Sequence, residues 1–376
     1  MSDSVIFQEL TTNSGMKIGH ATLNRPNAHN ALSMDMIQLL MPQLLAWQQD
    51  ENICMVLLDG SGEKALCAGG DVVAMHNAMA SQPKSMPESL QAFFTQEYQL
   101  DYLIHTYTKP FAVWGAGIVM GGGMGLMNGG SHRIVTDTSR LAMPEISIGL
   151  YPDVGGSWFL NNMPLGCGLF LGMTGASMNA TDALYVNMAD YFIPNNLKTQ
   201  WLESLKQVPW GNNSAANRDQ LSVLCAKQHQ QHEALLPEAK VQPLQSTLDE
   251  LATKTSAADV AEQIMALDAQ GDKWLSKAQK TLQAGSPISA SLVFRQLQHG
   301  QSLTLAQCFE MELIMSCRCG EFGEFQEGVR ALLVDKDHQP KWRYTSIDQV
   351  PNETLVWFFD SPWQANANPL QHLAKE

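Results

Sequence analysis

Apolar and polar positions follow two different periods along the first half of the chain. Short apolar runs of strand length, Met16 to Leu23, Ile53 to Asp59 and Phe111 to Gly115, are separated by stretches in which apolar residues return every third or fourth position. Strands alternating with helices up to about residue 195 predict an α/β layer architecture. The first helix is expected after Ser33, a suitable N-cap, and places Ile37, Leu40, Met41 and Leu44 on one buried face. Pro42 lies inside it and predicts a kink, because it cannot donate to the carbonyl of Gln38. Another helix is expected after Asp71. In the helix over 87–104, Leu90, Phe93, Glu97, Leu100 and Ile104 share one stripe. Glu97 is therefore expected to point inward, either paired with a base or facing a site.

The pattern changes at QVPWGNNSAANR (207–218), which is rich in Gly, Pro, Asn and Ser, has no periodicity and reads as a boundary. Beyond it, 258–270, 288–300 and 305–319 read as consecutive amphipathic helices without strand-like alternation. The stretch from Pro340, with Trp342, Trp357 and Trp363, is expected to lie over the surface. The expected division is thus a core over 1–206, a helical domain over 207–342 and a tail over 343–376. A chain of 376 residues, 45% hydrophobic, is long enough for one large core and a second unit.

Charge narrows the function. With 37 acidic against 23 basic residues the formal charge is -14 and no basic run stands out, which argues against nucleic acid and anionic lipid as partners. The seven cysteines are odd in number and scattered, without paired zinc spacings, and read as reduced thiols. MSDSVIFQEL has no basic segment followed by an apolar stretch, and no apolar window is long enough to span a bilayer, so the expected location is the cytoplasm.

Two glycine clusters each follow a buried strand and open a helix: Cys67-Ala68-Gly69-Gly70-Asp71 and Gly121-Gly122-Gly123. At such a junction the first helical amides have no partner and glycine lets a ligand approach the backbone. One cluster alone is explained by a tight turn; two facing each other would form an oxyanion hole. Neither is a dinucleotide fingerprint or a phosphate loop. Downstream, Glu145 and Asp153 stand in an apolar, glycine-rich setting where carboxylates are costly to bury unless paired or used. Asp153, after a proline, also fits a surface turn. His229 and His232 suit a solvated helix face better than a metal site, and Cys67, with His76, is a weaker candidate nucleophile.

Taken together, LNRPNAHNAL (23–32), KALCAGGDV (64–72), the triple glycine and MPEISIGLYPDVGG (143–156) resemble the crotonase (enoyl-CoA hydratase/isomerase) superfamily. FFTQEY (93–98), PDVGG and FQEGVRALLVDKDHQPKW (325–342) resemble most its 3-hydroxyisobutyryl-CoA hydrolase branch. The resemblance implies a spiral of ββα units with a helical C-terminal region, and hydrolysis of a short 3-hydroxyacyl-CoA in valine breakdown. By position it implies that Gly70 and Gly122, beside Gly69 and Gly121, hold the thioester oxygen. Glu145 matches the catalytic glutamate, and Asp153 and Glu97 match acidic residues lining the acyl pocket. Hydratases of the superfamily carry a second glutamate where this chain has Gly125, which weakens a hydration reading. An isomerase and a non-catalytic acyl-CoA-binding scaffold remain as alternatives. Arg25 and Lys64 are candidates for the coenzyme A phosphates. Coenzyme A enters as part of the substrate, and the chemistry calls for no metal or redox cofactor. Assembly of copies through the helical part is left open.

Overall fold

A computed structural model describes residues 3–82 and 85–373. In chain order the first half comprises β1 (Val5–Thr11), β2 (Lys17–Leu23), α1 (Met34–Gln49), β3 (Ile53–Gly60), β4 (Ala65–Cys67), α2 (Val72–Ser81), α3 (Glu88–His105), β5 (Phe111–Gly115), β6 (Ile118–Met120), α4 (Gly122–Asn128), β7 (His132–Val135) and β8 (Arg140–Ala142). There follow α5 (Gly156–Phe159), α6 (Cys167–Thr174), α7 (Ala180–Tyr185), β9 (Tyr191–Phe192), α8 (Lys198–Gln207) and α9 (Ser214–His232). The rest is helical: α10 (Gln245–Leu251), α11 (Ala257–Met265), α12 (Lys273–Ala284), α13 (Pro287–Gly300), α14 (Leu305–Phe322), α15 (Glu324–Val329) and α16 (Asn352–Phe359).

The strands form a six-stranded sheet in the order β1-β2-β3-β5-β7-β9 and a three-stranded sheet in the order β4-β6-β8. Each successive pair, β3 with β4, β5 with β6 and β7 with β8, sends its first strand to the large sheet and its second to the small one. That is the repeating spiral turn the resemblance implies. β3 is buried along nearly its whole length, as a parallel strand covered on both faces must be.

Packing divides the chain into two compact units, each drawn from three stretches. The first takes the chain up to Gly70, Leu100–Leu141 and Met178–Gln242; the second takes Asp71–Gln99, Ala142–Ser177 and the chain from Pro243. The break expected at 206/207 tracks the end of strand-containing structure, whereas packing follows the spiral. In the first unit, Met55, Leu57, Trp114 and Ile134 of the large sheet pack on Trp201 and Leu205 of α8 and Leu221 and Cys225 of α9. The boundary-like segment is itself anchored: Trp210 is buried and its indole N–H donates to the Leu205 carbonyl at 2.7 Å.

α1 begins at Ser33, whose side chain accepts from the Met36 amide, and buries Ile37, Leu40 and Leu44, with Met41 half-buried. The helix runs through Pro42 without a break. Pro42 and Gln38 are both exposed, so the carbonyl left without a helical donor faces solvent. In the second unit, α16 packs on α14, with the Arg318 guanidinium 4.6 Å from the Trp357 ring, and the Trp342 indole N–H donates to Ala284 of α12 at 2.9 Å. Among the described residues no helix is long and apolar enough to cross a membrane.

Candidate active site

The two glycine turns meet within the first unit. The loop 25–32 is wound around Asn30, which is fully buried. Its side chain accepts from the Arg25 amide at 2.8 Å and donates to the carbonyls of Ser61 at 3.0 Å and Ala65 at 2.8 Å. The loop in turn holds the first glycine cluster: Ala68 donates to the His29 carbonyl at 3.0 Å, and Leu32 to the Gly69 carbonyl at 2.8 Å. Gly69 has φ +112°, a conformation closed to most side chains. A Cβ there would lie 3.5 Å from the Met120 carbonyl oxygen and 4.0 Å from the Gly121 Cα, so the turns are neighbours. A Cβ on Gly123 would fall 2.3 Å from the carbonyl oxygen of Cys67, so only glycine lets the start of α4 sit against the end of β4. No described residue accepts a hydrogen bond from the amide of Gly70 or of Gly122.

Arg25 is half-buried and its Nη1 donates to the Ala31 carbonyl at 2.7 Å, so it braces its own loop. The Lys64 side chain is exposed, while its carbonyl accepts from Ile118 at 2.9 Å.

The carboxylates meet within the second unit. Glu145 opens a 3₁₀ turn (Glu145–Ile148) that ends at Gly149 with φ +69°. A Cβ on Gly149 would lie 2.4 Å from the Glu324 carbonyl oxygen, so the turn is pressed onto α15. Glu145, Asp153 and Glu97 are 4%, 4% and 2% exposed, and Glu145 Oε2 and Glu97 Oε1 have no hydrogen-bond partner among the described residues. Burial raises the pKa of Glu97 well above the glutamate range, and the charges of Asp153 and Glu145 raise it further. Burial, then the charge of Asp153, does the same to Glu145. Burial pushes Asp153 up to about 6, with Tyr98 opposing through a hydrogen bond. Among the described residues no lysine or arginine offsets any of the three. Glu97 thus points inward beside two other acids and is not paired with a base among the described residues, and Asp153 is no surface turn. Acids so crowded titrate as a group, each holding its proton to a higher pH than it would in water.

The sequence reading missed what holds this cluster. Tyr98 donates to Asp153 Oδ2 at 2.7 Å and lies 2.7 Å from Ser316 Oγ. The same Oγ is 2.8 Å from the Tyr151 hydroxyl, which donates to the Glu312 carbonyl at 2.6 Å. The Glu312 carboxylate accepts from the amides of Gly155 and Ser157, both at 2.7 Å, and so clamps the loop carrying Asp153. Gln296 of α13 adds a donor to the Pro152 carbonyl at 2.5 Å. Tyr98, Tyr151, Ser316 and Glu312 are all fully buried.

The raised Asp153 pKa gives the protein an unusual pH response. An unfolded aspartate ionises near 3.8 but the folded one only near 6, so folding is penalised as pH rises through that window. Above it the penalty reaches about 3 kcal/mol, an upper bound. The Asp153→Asn variant, which escapes it, should gain thermal stability over the parent as pH rises from 4 to 7, measured by melting at each pH; a constant difference would refute the assignment.

The weaker candidates find structural roles. Cys67 is buried and its thiol donates to the Gly69 carbonyl at 3.5 Å. His229 Nδ1 accepts from the Phe192 amide at 3.0 Å, and His232 Nδ1 pairs with the Gln228 carbonyl at 2.8 Å. Among the described residues no group of three or more His, Cys, Asp and Glu side chains is placed to hold a metal ion. The cysteines are all free and buried.

Comparison with known proteins bears on this geometry. The family described as enoyl-CoA hydratase/isomerase matches residues 18–359. The 3-hydroxyisobutyryl-CoA hydrolase, mitochondrial, of Danio rerio is 38% identical over 345 residues, 92% of this chain and 87% of that protein. The human protein of the same name is 35% identical over 91% of this chain and 86% of its own length. Among solved structures, a carnitinyl-CoA dehydratase from Mycobacterium thermoresistibile is similar with a TM-score of 0.83 and 30% identity, covering 98% of each chain. These findings overturn the expected cytoplasmic location, since both hydrolases are mitochondrial by name. Reduced, scattered thiols argue against an oxidising compartment but do not discriminate among reducing ones.

Proposed function

Because this chain belongs to the enoyl-CoA hydratase/isomerase family, we propose that it hydrolyses a short 3-hydroxyacyl-CoA thioester, foremost 3-hydroxyisobutyryl-CoA, to the free hydroxy acid and coenzyme A, a step of valine breakdown. The observation that carries this reading is the buried cluster of Glu145, Asp153 and Glu97, without a compensating cation among the described residues. Acids held at raised pKa suit proton transfer at neutral pH. The names of the Danio rerio and human relatives agree with it.

In the proposed mechanism the thioester oxygen accepts from the amides of Gly70 and Gly122, neighbours of Gly69 and Gly121. As the carbonyl is attacked, charge builds on that oxygen, and each donor lowers the barrier by about 3 kcal/mol. Glu145 takes a proton from water as the water oxygen bonds to the carbonyl carbon. The C–S bond then breaks and the departing thiolate takes the proton back from Glu145. Direct attack by Glu145 to give an acyl anhydride, resolved by water, is the competing route. Asp153 accepts a hydrogen bond from the substrate 3-hydroxyl, which favours hydroxyacyl over plain acyl groups. Glu97 lines the acyl pocket. Lys64 serves the coenzyme A phosphates, with Arg25 shaping the loop beside it.

A lyase reading has one observation in its favour, the similarity to the carnitinyl-CoA dehydratase. Water elimination in this superfamily uses a second glutamate on α4, where this chain has Gly125. Free-thiol release from 3-hydroxyisobutyryl-CoA, 3-hydroxypropionyl-CoA and crotonyl-CoA separates the two. Hydrolysis of the hydroxyacyl substrates with little from crotonyl-CoA is expected. A new enoyl absorbance without thiol would replace the hydrolase reading with the lyase one.

A further inference from the structure

The hydroxyls beside Asp153 are connected in a way that the proposed reaction does not by itself require. Four oxygen–oxygen contacts run in series, from Asp153 Oδ2 through Tyr98, Ser316 and Tyr151 to the Glu312 carbonyl, none longer than 2.8 Å. Each contact needs one proton. The Glu312 carbonyl has none to give, and the hydroxyls of Tyr98, Ser316 and Tyr151 supply three. With Asp153 ionised, one of the four contacts is left as two facing lone pairs. With a proton on Asp153 Oδ2, a single run of donors from Asp153 to Tyr98, Ser316, Tyr151 and the carbonyl fills all four. Every member is fully buried apart from Asp153 at 4%, so water is poorly placed to repair a missing proton.

We propose that Tyr98, Ser316 and Tyr151 form a hydroxyl relay that positions Asp153 and decides its protonation state. The relay acts in two opposed senses. Tyr98 donating to the carboxylate favours the ion. Ser316, by offering Tyr98 an acceptor, lets Tyr98 turn its proton away and receive one from Asp153, which favours the acid. The groups facing Asp153 are Glu97 and Tyr98 from α3, Glu145 from the 3₁₀ turn, Tyr151 from its own loop, and Glu312 and Cys319 from α14. None is a cation, so the groups able to tip the balance toward the carboxylate are the hydroxyls, beside the residue's own main-chain amide. The consequence for turnover rests on the proposed role of Asp153; the relay itself does not.

Removing the two ends of the Tyr98–Ser316 contact should therefore move Asp153 in opposite directions. Infrared titration of the full-length enzyme, with the carboxylic acid band of Asp153 identified by its loss in Asp153→Asn, reads this without turnover. In Tyr98→Phe the carboxylate loses its donor, and the midpoint should rise by about one to two pH units. In Ser316→Ala the protonated acid leaves the Tyr98 hydroxyl without an acceptor, and the midpoint should fall by about one unit. Ser316→Thr keeps the hydroxyl and should titrate like the parent. Midpoints that stay put, or move in the same direction, overturn the relay. If Tyr98→Phe does not fold, an unmoved Ser316→Ala midpoint is enough to do so. The kcat/KM profile measured alongside should follow the same displacements in its acid limb. Undiminished turnover in Asp153→Asn would remove the proposed catalytic role of Asp153 and leave the infrared result standing.

Discussion

Glu145→Gln should abolish thiol release while leaving a protein that melts no lower than the parent. Loss of the proton acceptor or nucleophile is expected to lower kcat by about a thousandfold or more, at the upper end for a single acid–base group. The stability half of the expectation follows from the surroundings. Glu145 is 4% exposed, has an unpartnered Oε2, and is held well above its ordinary pKa by burial and by the charge of Asp153. Glutamine removes the ionisable group and turns amide donors toward acidic neighbours, and the turn keeps the Leu150 amide bond to the main-chain carbonyl of residue 145. Initial rates by thiol detection, together with thermal melts, check both halves. A variant retaining a tenth of parental kcat would remove Glu145 from the chemistry. One that fails to fold would show the carboxylate to be a structural group.

Gly123→Ala should fail in a different way, losing stability and activity together. The added Cβ would sit 2.3 Å from the carbonyl oxygen of Cys67, a backbone atom that cannot swing aside. Either α4 shifts or β4 does, at a cost of about 1–3 kcal/mol or more. Either movement displaces one glycine turn relative to the other, and on the folded fraction kcat should fall by about a hundredfold, the scale of losing one oxyanion donor. Gly211→Ala is the matched control, since a Cβ there meets nothing within 4 Å and the residue has no positive φ. Urea titration and initial rates of the two variants test this. Parental activity in Gly123→Ala would show that the approach of the two turns is unrelated to catalysis.

What the sequence reveals of this protein follows the range of the forces involved. The inward direction of Glu97 is local: a helical stripe of Leu90, Phe93, Leu100 and Ile104 is legible from spacing, and all four are buried. The same rule applied to α14 would have found Glu312, which shares a stripe with Cys308, Met315 and Cys319, all buried. β4, β6 and β8 are three residues each, too short for a period of two to declare itself, although they build the small sheet carrying both glycine turns. The bond from Tyr98 to Ser316 joins residues 218 apart, and nothing in either neighbourhood announces it. The glycine-rich motifs and Glu145 stood out because a close approach and a buried acid each leave a compositional trace where they occur. The pairing of Glu312 with the amides of Gly155 and Ser157 leaves none.

The interleaving of the two units has a consequence for biosynthesis. The first unit has all of its chain once Gln242 has left the ribosome, whereas the second draws on the chain from Pro243 onward. Gly155 is made 157 residues before the glutamate that will grip its amide. At ~5–20 residues per second that is a wait on the order of ten seconds or more. During this interval the loop carrying Asp153 lacks the carboxylate that clamps its amides, and Tyr98 and Tyr151 lack the Ser316 hydroxyl they will share. The clamp around the acid cluster is therefore completed late, and slow maturation should leave a population with a formed sheet region and no turnover.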